Sequence, residues 1–319
     1  MGLTPFAARL RDVLPASAIE ERAPLAPLTT FNVGGPADWL ITVATVDELQ
    51  AVLAAAREAA TPVTVLGGGS NVIVPDAGVR GVVLRLRLMD IFQPGPDRVR
   101  AGAGVTINGL VRWTVGRGLA GLEAWAGTPG TVGGAIFGNA HFGGRDISTL
   151  VTQAMLASRD GIVVTAARDA LEFAYDTSRL RRTGELLVWA EFAVGSGDRD
   201  ALRRRARESL AYRKQTQPLA QPSAGCVFQN PDPARDRLPA GMPASAGALI
   251  DRAGLKGLRV GGAAISSAHA NFIVSDGRAT ARDIRTLVET VRRTVRDKFG
   301  VDLRDEVVFL GDDTEYKGD

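Results

Sequence analysis

Cys226, Glu306 and two dense runs of glycine are the parts of this sequence whose residue types could do chemistry. The first run reads VLGGGSNVIV, with Gly67, Gly68, Gly69, Ser70 and Asn71 after an apolar stretch. Without side chains, successive backbone N–H groups can converge on an anion such as a pyrophosphate, and Ser70 and Asn71 can add hydrogen bonds. No Lys-Ser/Thr follows, so this is not a Walker loop, and the glycine spacing is not the Rossmann fingerprint. Taken alone, a strand-to-strand turn and a phosphate cradle are both open. The second run, GTPGTVGGAIFGNAHFGG, holds Gly127, Gly130, Gly133, Gly134, Gly138, Gly143 and Gly144. Ordering so much glycine costs on the order of 1 kcal/mol extra per residue, which points to backbone pressed against a flat or charged ligand. A lone cysteine is by default a small buried hydrophobe, and Glu306 alone is a charge at the start of a strand. With His141, His269 and one cysteine as the soft donors, no zinc-type set can be assembled and no metal is expected.

These groups need elements to position them. Residues 3–14 have the pattern of a short amphipathic helix. A turn at Gly34, Gly35 and Pro36 leads to a strand at 39–43, and Leu49, Val52, Leu53 and Ala56 mark one face of the helix that follows. Strands are expected in PVTVL, VIV and GVVLRLRL. A second unit holds a strand at 99–101, a helix at 107–117 and strands at 150–157, 162–165 and 186–194. A charged helix over 198–214 introduces a third unit. There Ile284, Leu287, Val288, Val291, Val295 and Phe299 recur at helical spacing, Thr280 and Asp283 form a capping pair, Gly300 is a stop, and EVVFLG is a closing strand.

The 319 residues are enough for two or three subdomains. The net charge is +3, and lysine is confined to Lys214, Lys256, Lys298 and Lys317. Base composition accounts for that bias, and no basic run is interleaved with aromatics, so a nucleic-acid partner is not expected. One cysteine excludes an internal disulfide and agrees with a reducing compartment. No signal peptide is legible and no apolar run reaches a membrane span, so a cytoplasmic location is expected.

The motifs NVGGPAD, LGGGSN, GTPGTVGGAxxxNA, PSAGCVFQNP, LIDRAGLKGLRVGGAAISxxHANFIV and EVVFLG occur in this order over about residues 28–311. Together they resemble the UDP-N-acetylenolpyruvoylglucosamine reductase family, in its shorter-loop branch. The resemblance implies an α+β fold: a two-subdomain FAD-binding fold of the vanillyl-alcohol-oxidase (PCMH) type followed by a C-terminal substrate-binding domain. The divisions expected are 1–20, an N-terminal helical extension; 21–80 and 81–196, the FAD subdomains; 197–311, the substrate domain; and 312–319, a tail. It also implies noncovalent FAD, NADPH as hydride donor, a UDP-sugar substrate and a monomer. The rival readings are another FAD oxidase or dehydrogenase on the same fold, and a flavin-binding homologue with impaired catalysis.

By position in these motifs, Gly34, Gly67, Gly68, Gly69, Ser70 and Asn71 fall to the cofactor. So do Gly127, Thr128, Pro129, Gly130, Gly133, Gly134, Ala135 and Asn139. Cys226, after SAG, falls to proton donation at the α-carbon, and Glu306 to polarising the enolpyruvyl group. The family's Tyr-Arg-x-Ser reads Tyr175, Asp176, Thr177, Ser178 here, so Asp176 stands where an Arg is expected. Arg179, one residue past the motif, is the expected substitute. Asn230, Gln217, Tyr175 and Lys214 (or Arg213) are expected at the sugar nucleotide. Gln229 stands where the family has Lys, and His141 where it more often has Gly.

Overall fold

A computed structural model describes residues 5–311. The first lobe is a four-stranded sheet in the order Ile19–Glu21, Ala37–Val43, Val79–Leu86, Val63–Val65, the last three parallel. Its crossover helix α2 (Val46–Glu58) starts in a capping box. The Thr45 hydroxyl accepts from the Glu48 N–H at 3.1 Å, and the Glu48 carboxylate accepts from the Thr45 N–H at 3.2 Å, satisfying donors that a helix start leaves unpaired. The face expected from spacing, Leu49, Val52, Leu53 and Ala56, is the buried one, and helix α1 (Pro5–Val13) joins that core through Phe6 and Leu10.

The second lobe is a five-stranded antiparallel sheet ordered Val163–Ala167, Val151–Ala157, Leu186–Ala193, Arg98–Gly102, Ile91–Gly95. Sequence reading assigned nothing to Ile91–Gly95. It carries Pro94, which removes a ladder donor and is tolerated because the strand lies at the sheet's edge. Helices α3 (Ile107–Gly116) and α4 (Val132–Phe137) cover one face and bury Ile107, Leu110, Val132 and Ile136 against Ala101, Ala154 and Phe192. Helix α5 (Arg179–Thr183) is a single short turn before the strand Leu186–Ala193.

Helix α6 (Arg199–Thr216) is strongly polar and buries only Leu202 and Arg213. It is held by side chains: Ser209 donates to the Ala124 carbonyl at 2.6 Å, and Arg205 pairs with Glu123 at 3.2 Å. Beyond it lie α7 (Ala246–Arg252), a three-stranded sheet of Arg259–Val260, Ala263–Ile265 and Ile273–Ser275, and α8 (Ala281–Phe299). The sequence-expected cap of α8 is present, with Thr280 and Asp283 in a capping box and Gly300 at φ +68° ending the helix. The expected closing strand is shorter than EVVFLG, only Val308–Phe309, and it pairs in parallel with Val72–Ile73 of the first lobe. The third core also borrows Phe31, Val33 and Ile73 from that lobe. The expected tail at 312–319 and the first four residues lie outside the described residues. No helix among those described is long and apolar enough to cross a membrane.

Candidate active site

Two segments distant in sequence place Cys226 beside Glu306. The 226–228 segment runs between Asn271–Phe272 on one side and 304–306 on the other. Asn271 accepts from the Phe228 N–H at 3.0 Å and donates to the Phe228 carbonyl at 2.7 Å, and the Glu306 N–H donates to the Val227 carbonyl at 2.9 Å. Asn71, at the end of the first glycine run, donates to the Glu306 carbonyl at 3.0 Å and accepts from the Val308 N–H at 3.0 Å. Thr30 donates to the Ser223 carbonyl at 2.6 Å and reaches the Gly69 carbonyl. The glycine loop and the SAG-Cys loop are therefore fastened to each other by Thr30, which the sequence did not signal, and by the side chain of Asn71, expected at the cofactor.

The turn at Tyr175 and Asp176 closes the site from the second lobe. Ala174 and Thr177 exchange backbone hydrogen bonds at 3.1 and 3.3 Å around it. Asp176 occupies the left-handed region at φ +55°, which Asp tolerates better than a long or branched side chain. Asn139 holds the turn, donating to the Ala174 carbonyl at 2.8 Å and accepting from the Ser148 N–H at 3.2 Å. The buried Asp176 carboxylate lies 3.0 Å from His141 Nδ1, and its Oδ2 has no hydrogen-bond partner. The donor atoms of His141, Asp176 and Glu306 all fall within 4.8 Å of one another. Tyr175 sits against the His141 ring at 5.2 Å, and its hydroxyl accepts from the Asn230 N–H at 3.4 Å.

Burial and charge set the protonation of this group. The hydrogen bond to Asp176 raises the His141 imidazolium above its ordinary value; burial opposes it, and the charges of Asp176, Glu306 and Asp146 reinforce it. Burial, then the Asp176 charge, pushes Glu306 up to about 8, with His141 opposing. Burial, then Glu306 and Asp176, pushes the Cys226 thiol far up, against a hydrogen bond to Asn271. The thiol is thus kept as S–H, the form a proton donor requires. Burial, helped by Asp176, raises Tyr175 to about 12.

Several expected residues stand elsewhere. Arg179 forks onto Glu185 at 2.6 and 2.7 Å and donates to the Ala170 carbonyl; a carboxylate six residues along the chain has captured the guanidinium. Lys214 is exposed, whereas its neighbour Arg213 is 5% exposed. Arg213 donates to Thr128 Oγ1 at 2.8 Å, stacks over Phe142 at 3.5 Å, and leaves its Nε unpartnered. Burial lowers its pKa to about 10, the mark of a cation that an anionic ligand would relieve. Asn139 uses both ends of its amide on the protein, as described, rather than on a cofactor. Ala135 is in the second-lobe core, and Gly133 backs onto the Ala103 carbonyl. Gly34, at φ +121°, lies against Val74. Gln217 ends α6, and Asn230 Oδ1 accepts from the Ala246 N–H at the start of α7. His269 accepts from the Asn271 N–H at 3.3 Å and packs on Phe272 at 4.8 Å, a structural post.

The two glycine runs meet face to face. A Cβ on Gly68 would lie 2.6 Å from Gly130 Cα, one on Gly67 would lie 2.9 Å from Thr131 Oγ1, and one on Gly130 would lie 2.7 Å from Ser70 Oγ. The backbone N–H groups of Gly67, Gly68, Gly69, Ser70 and Asn71, and of Gly130 and Thr131, have no acceptor among the described residues. Gly67 and Gly68 are exposed, and Pro129 beside them has no N–H. A cluster of unpaired N–H groups on two loops suits a dinucleotide's phosphates. This observation favours the cradle over the plain turn.

Residues 37–167 match the family of FAD-binding domains, and residues 217–310 match the C-terminal domain of UDP-N-acetylenolpyruvoylglucosamine reductase. Fold alone is shared with a glucose dehydrogenase, Phl p 4.0202, at TM-score 0.51 and 14% identity over 61% of this chain and 45% of that one. Fold and glycine cradle thus define an FAD-binding protein of the two-lobed oxidoreductase class. The UDP-N-acetylenolpyruvylglucosamine reductase of Thermus caldophilus superposes with TM-score 0.75 at 36% identity, covering 91% of this chain and 98% of that one. UDP-N-acetylenolpyruvoylglucosamine reductase 2 of Symbiobacterium thermophilum is 42% identical over 313 residues, 97% of this chain and 98% of the relative. The reductase of Bacillus velezensis is 37% identical over 95% and 97%. The chain belongs to the UDP-N-acetylenolpyruvoylglucosamine reductase family.

Proposed function

We propose that this chain reduces the enolpyruvyl double bond of UDP-N-acetylglucosamine enolpyruvate to give UDP-N-acetylmuramate, a peptidoglycan precursor, with FAD as its cofactor and NADPH as the electron source. The observation that carries the reading is the pairing of a protonated thiol, Cys226, with Glu306 at the edge of a glycine-built phosphate cradle. When bound and reduced by NADPH, FAD would supply the hydride taken up at the β-carbon of the enolpyruvyl group. Negative charge then develops at the α-carbon and its carboxylate. Cys226 holds a proton for the α-carbon, and Glu306, raised to about 8, presents a carboxyl O–H to the developing charge.

In the same reading the cradle residues of the first two lobes, over 21–80 and 81–196, hold the FAD phosphates. Residues 197–311 hold the sugar nucleotide, with Tyr175 and Asn230 at the mouth and Arg213, rather than Lys214, as the buried phosphate cation. A cytoplasmic location suits the UDP-sugar substrate and the NADPH on which this reading rests.

The test is NADPH consumption by the purified holoprotein with and without the enolpyruvyl sugar nucleotide. Consumption that depends on the sugar supports the reading. Slow consumption through oxygen alone, whatever sugar is added, contradicts it. Cys226→Ala should keep flavin reduction by NADPH and lose flavin reoxidation by the sugar, while Cys226→Ser, which keeps an O–H donor, should retain a measurable rate.

A further inference from the structure

The site just described needs a positive charge opposite the substrate's carboxylate, and none of the arginines on α5 is placed to give it. Arg179 is held by Glu185 and Arg182 by Glu172, each at 2.6 Å. Arg181 donates to the backbone carbonyl of Asp176 at 3.3 Å, and its charge acts on Asp305. His141 has its donor atom within 4.8 Å of those of Asp176 and Glu306, and its charge opposes the rise of Glu306. It stands on the short hairpin of His141–Phe142 and Arg145–Asp146, in the glycine-rich loop of the second lobe.

We infer that His141 is a catalytic residue of this chain: its imidazolium, oriented by Asp176, donates from Nε2 to the enolpyruvyl carboxylate. Two of the positions that depart from the family's pattern, Asp176 and His141, are bonded to each other at 3.0 Å. A carboxylate alone at 176 would repel the substrate, but bonded to Nδ1 it fixes the ring and favours its protonated form. Nε2 then has no partner among the described residues, and the side chain is 31% exposed, so the ring edge is open to a ligand. The groups that face the ring are Asp176 and Tyr175 on the turn, Glu306 from the C-terminal segment, and Asp146 across the hairpin. Arg213 stacks on the adjacent Phe142. With Glu306 carrying its proton, the pocket offers two donors to one incoming carboxylate and no uncompensated negative charge. Asp176 acts through His141 and is a positioning residue.

This inference rests on the proposed enolpyruvyl substrate. It is tested by reducing the flavin of the holoprotein anaerobically with NADPH, adding the enolpyruvyl sugar nucleotide, and following flavin reoxidation as a function of pH. His141→Gln should reduce flavin normally and reoxidise about 100-fold more slowly, the usual effect of losing one preorganised donor. His141→Lys should recover part of the rate, and the high-pH fall that remains should be that of Glu306 alone. Asp176→Asn should move that fall to lower pH. Reoxidation of His141→Gln at the parent rate and with the parent pH profile would overturn the inference. So would equal losses in the Gln and Lys variants with an unmoved profile, which would make His141 a structural support. A parent protein that the sugar does not reoxidise would overturn the functional reading, and the inference with it.

Discussion

At the scale of the residue, a cysteine and a glutamate far apart in sequence are brought together by Asn271 and Val227, while an aspartate held at φ +55° turns toward a histidine. Cys226 and Glu306 were legible because each lies in a recognisable motif. The His141–Asp176 pair was not, because neither residue belongs to the family's pattern and the turn is brought to the hairpin by the Asn139 clamp on Ala174 and the Ser178 bond to the Phe137 carbonyl. Arg179 was misplaced for a related reason: sequence proximity to the motif could not show that Glu185 competes for its guanidinium. Arg179→Ala should therefore leave flavin reoxidation by the enolpyruvyl sugar nearly unchanged. It should instead lower stability by roughly 1–3 kcal/mol, the cost of leaving a mostly buried charged acceptor short of its donors, as read by chemical denaturation. The chain has two histidines, so an NMR titration separates them. His141 should titrate above its ordinary value and His269, lowered by burial, below it. In Asp176→Asn only the His141 curve should move, downward.

At the scale of the element, the regular pieces followed from spacing and caps. The apolar period of α8, its Thr280–Asp283 box and Gly300 all stand where the residues placed them. What pattern could not supply was the contact between the two glycine runs, which joins loops some sixty positions apart in the chain and depends on the absence of side chains on both. Of the fasteners between cradle and SAG-Cys loop, Thr30 looked like an ordinary loop polar and Asn71 like a cofactor contact. Gly68→Ala should force the runs apart, since its Cβ would meet Gly130 Cα at 2.6 Å. The expected result is loss of flavin retention on gel filtration, with far-UV circular dichroism unchanged. Retained flavin at parental occupancy would contradict the cradle.

At the scale of the whole molecule, three lobes share their cores at the seams: Phe31, Val33 and Ile73 belong to the first lobe in sequence and to the third in packing. Motif order alone marked the lobes, but the interlock could not be read from it, because a short strand such as Val308–Phe309 carries no signal of its partner. The interlock also buries Glu306 and raises it to about 8. The folded state therefore binds that proton more tightly than the unfolded chain. The associated stability is complete below the ordinary carboxylate value and declines as pH rises toward 8. Glu306→Gln, inactive or slow as an enzyme, should melt above the parent at pH 8, and the gap should close on acidification to pH about 4. A gap that widened on acidification would mean that Glu306 is held as a paired carboxylate instead.

The central claim is that this chain passes electrons from flavin to an enolpyruvyl sugar nucleotide, and one anaerobic mixing experiment addresses it most directly. Holoprotein reduced with NADPH, freed of excess nucleotide and mixed with UDP-N-acetylglucosamine enolpyruvate, should regain its oxidised flavin absorbance in step with formation of UDP-N-acetylmuramate. A flavin that stays reduced in the presence of the sugar, and is reoxidised only when oxygen is admitted, would contradict the account.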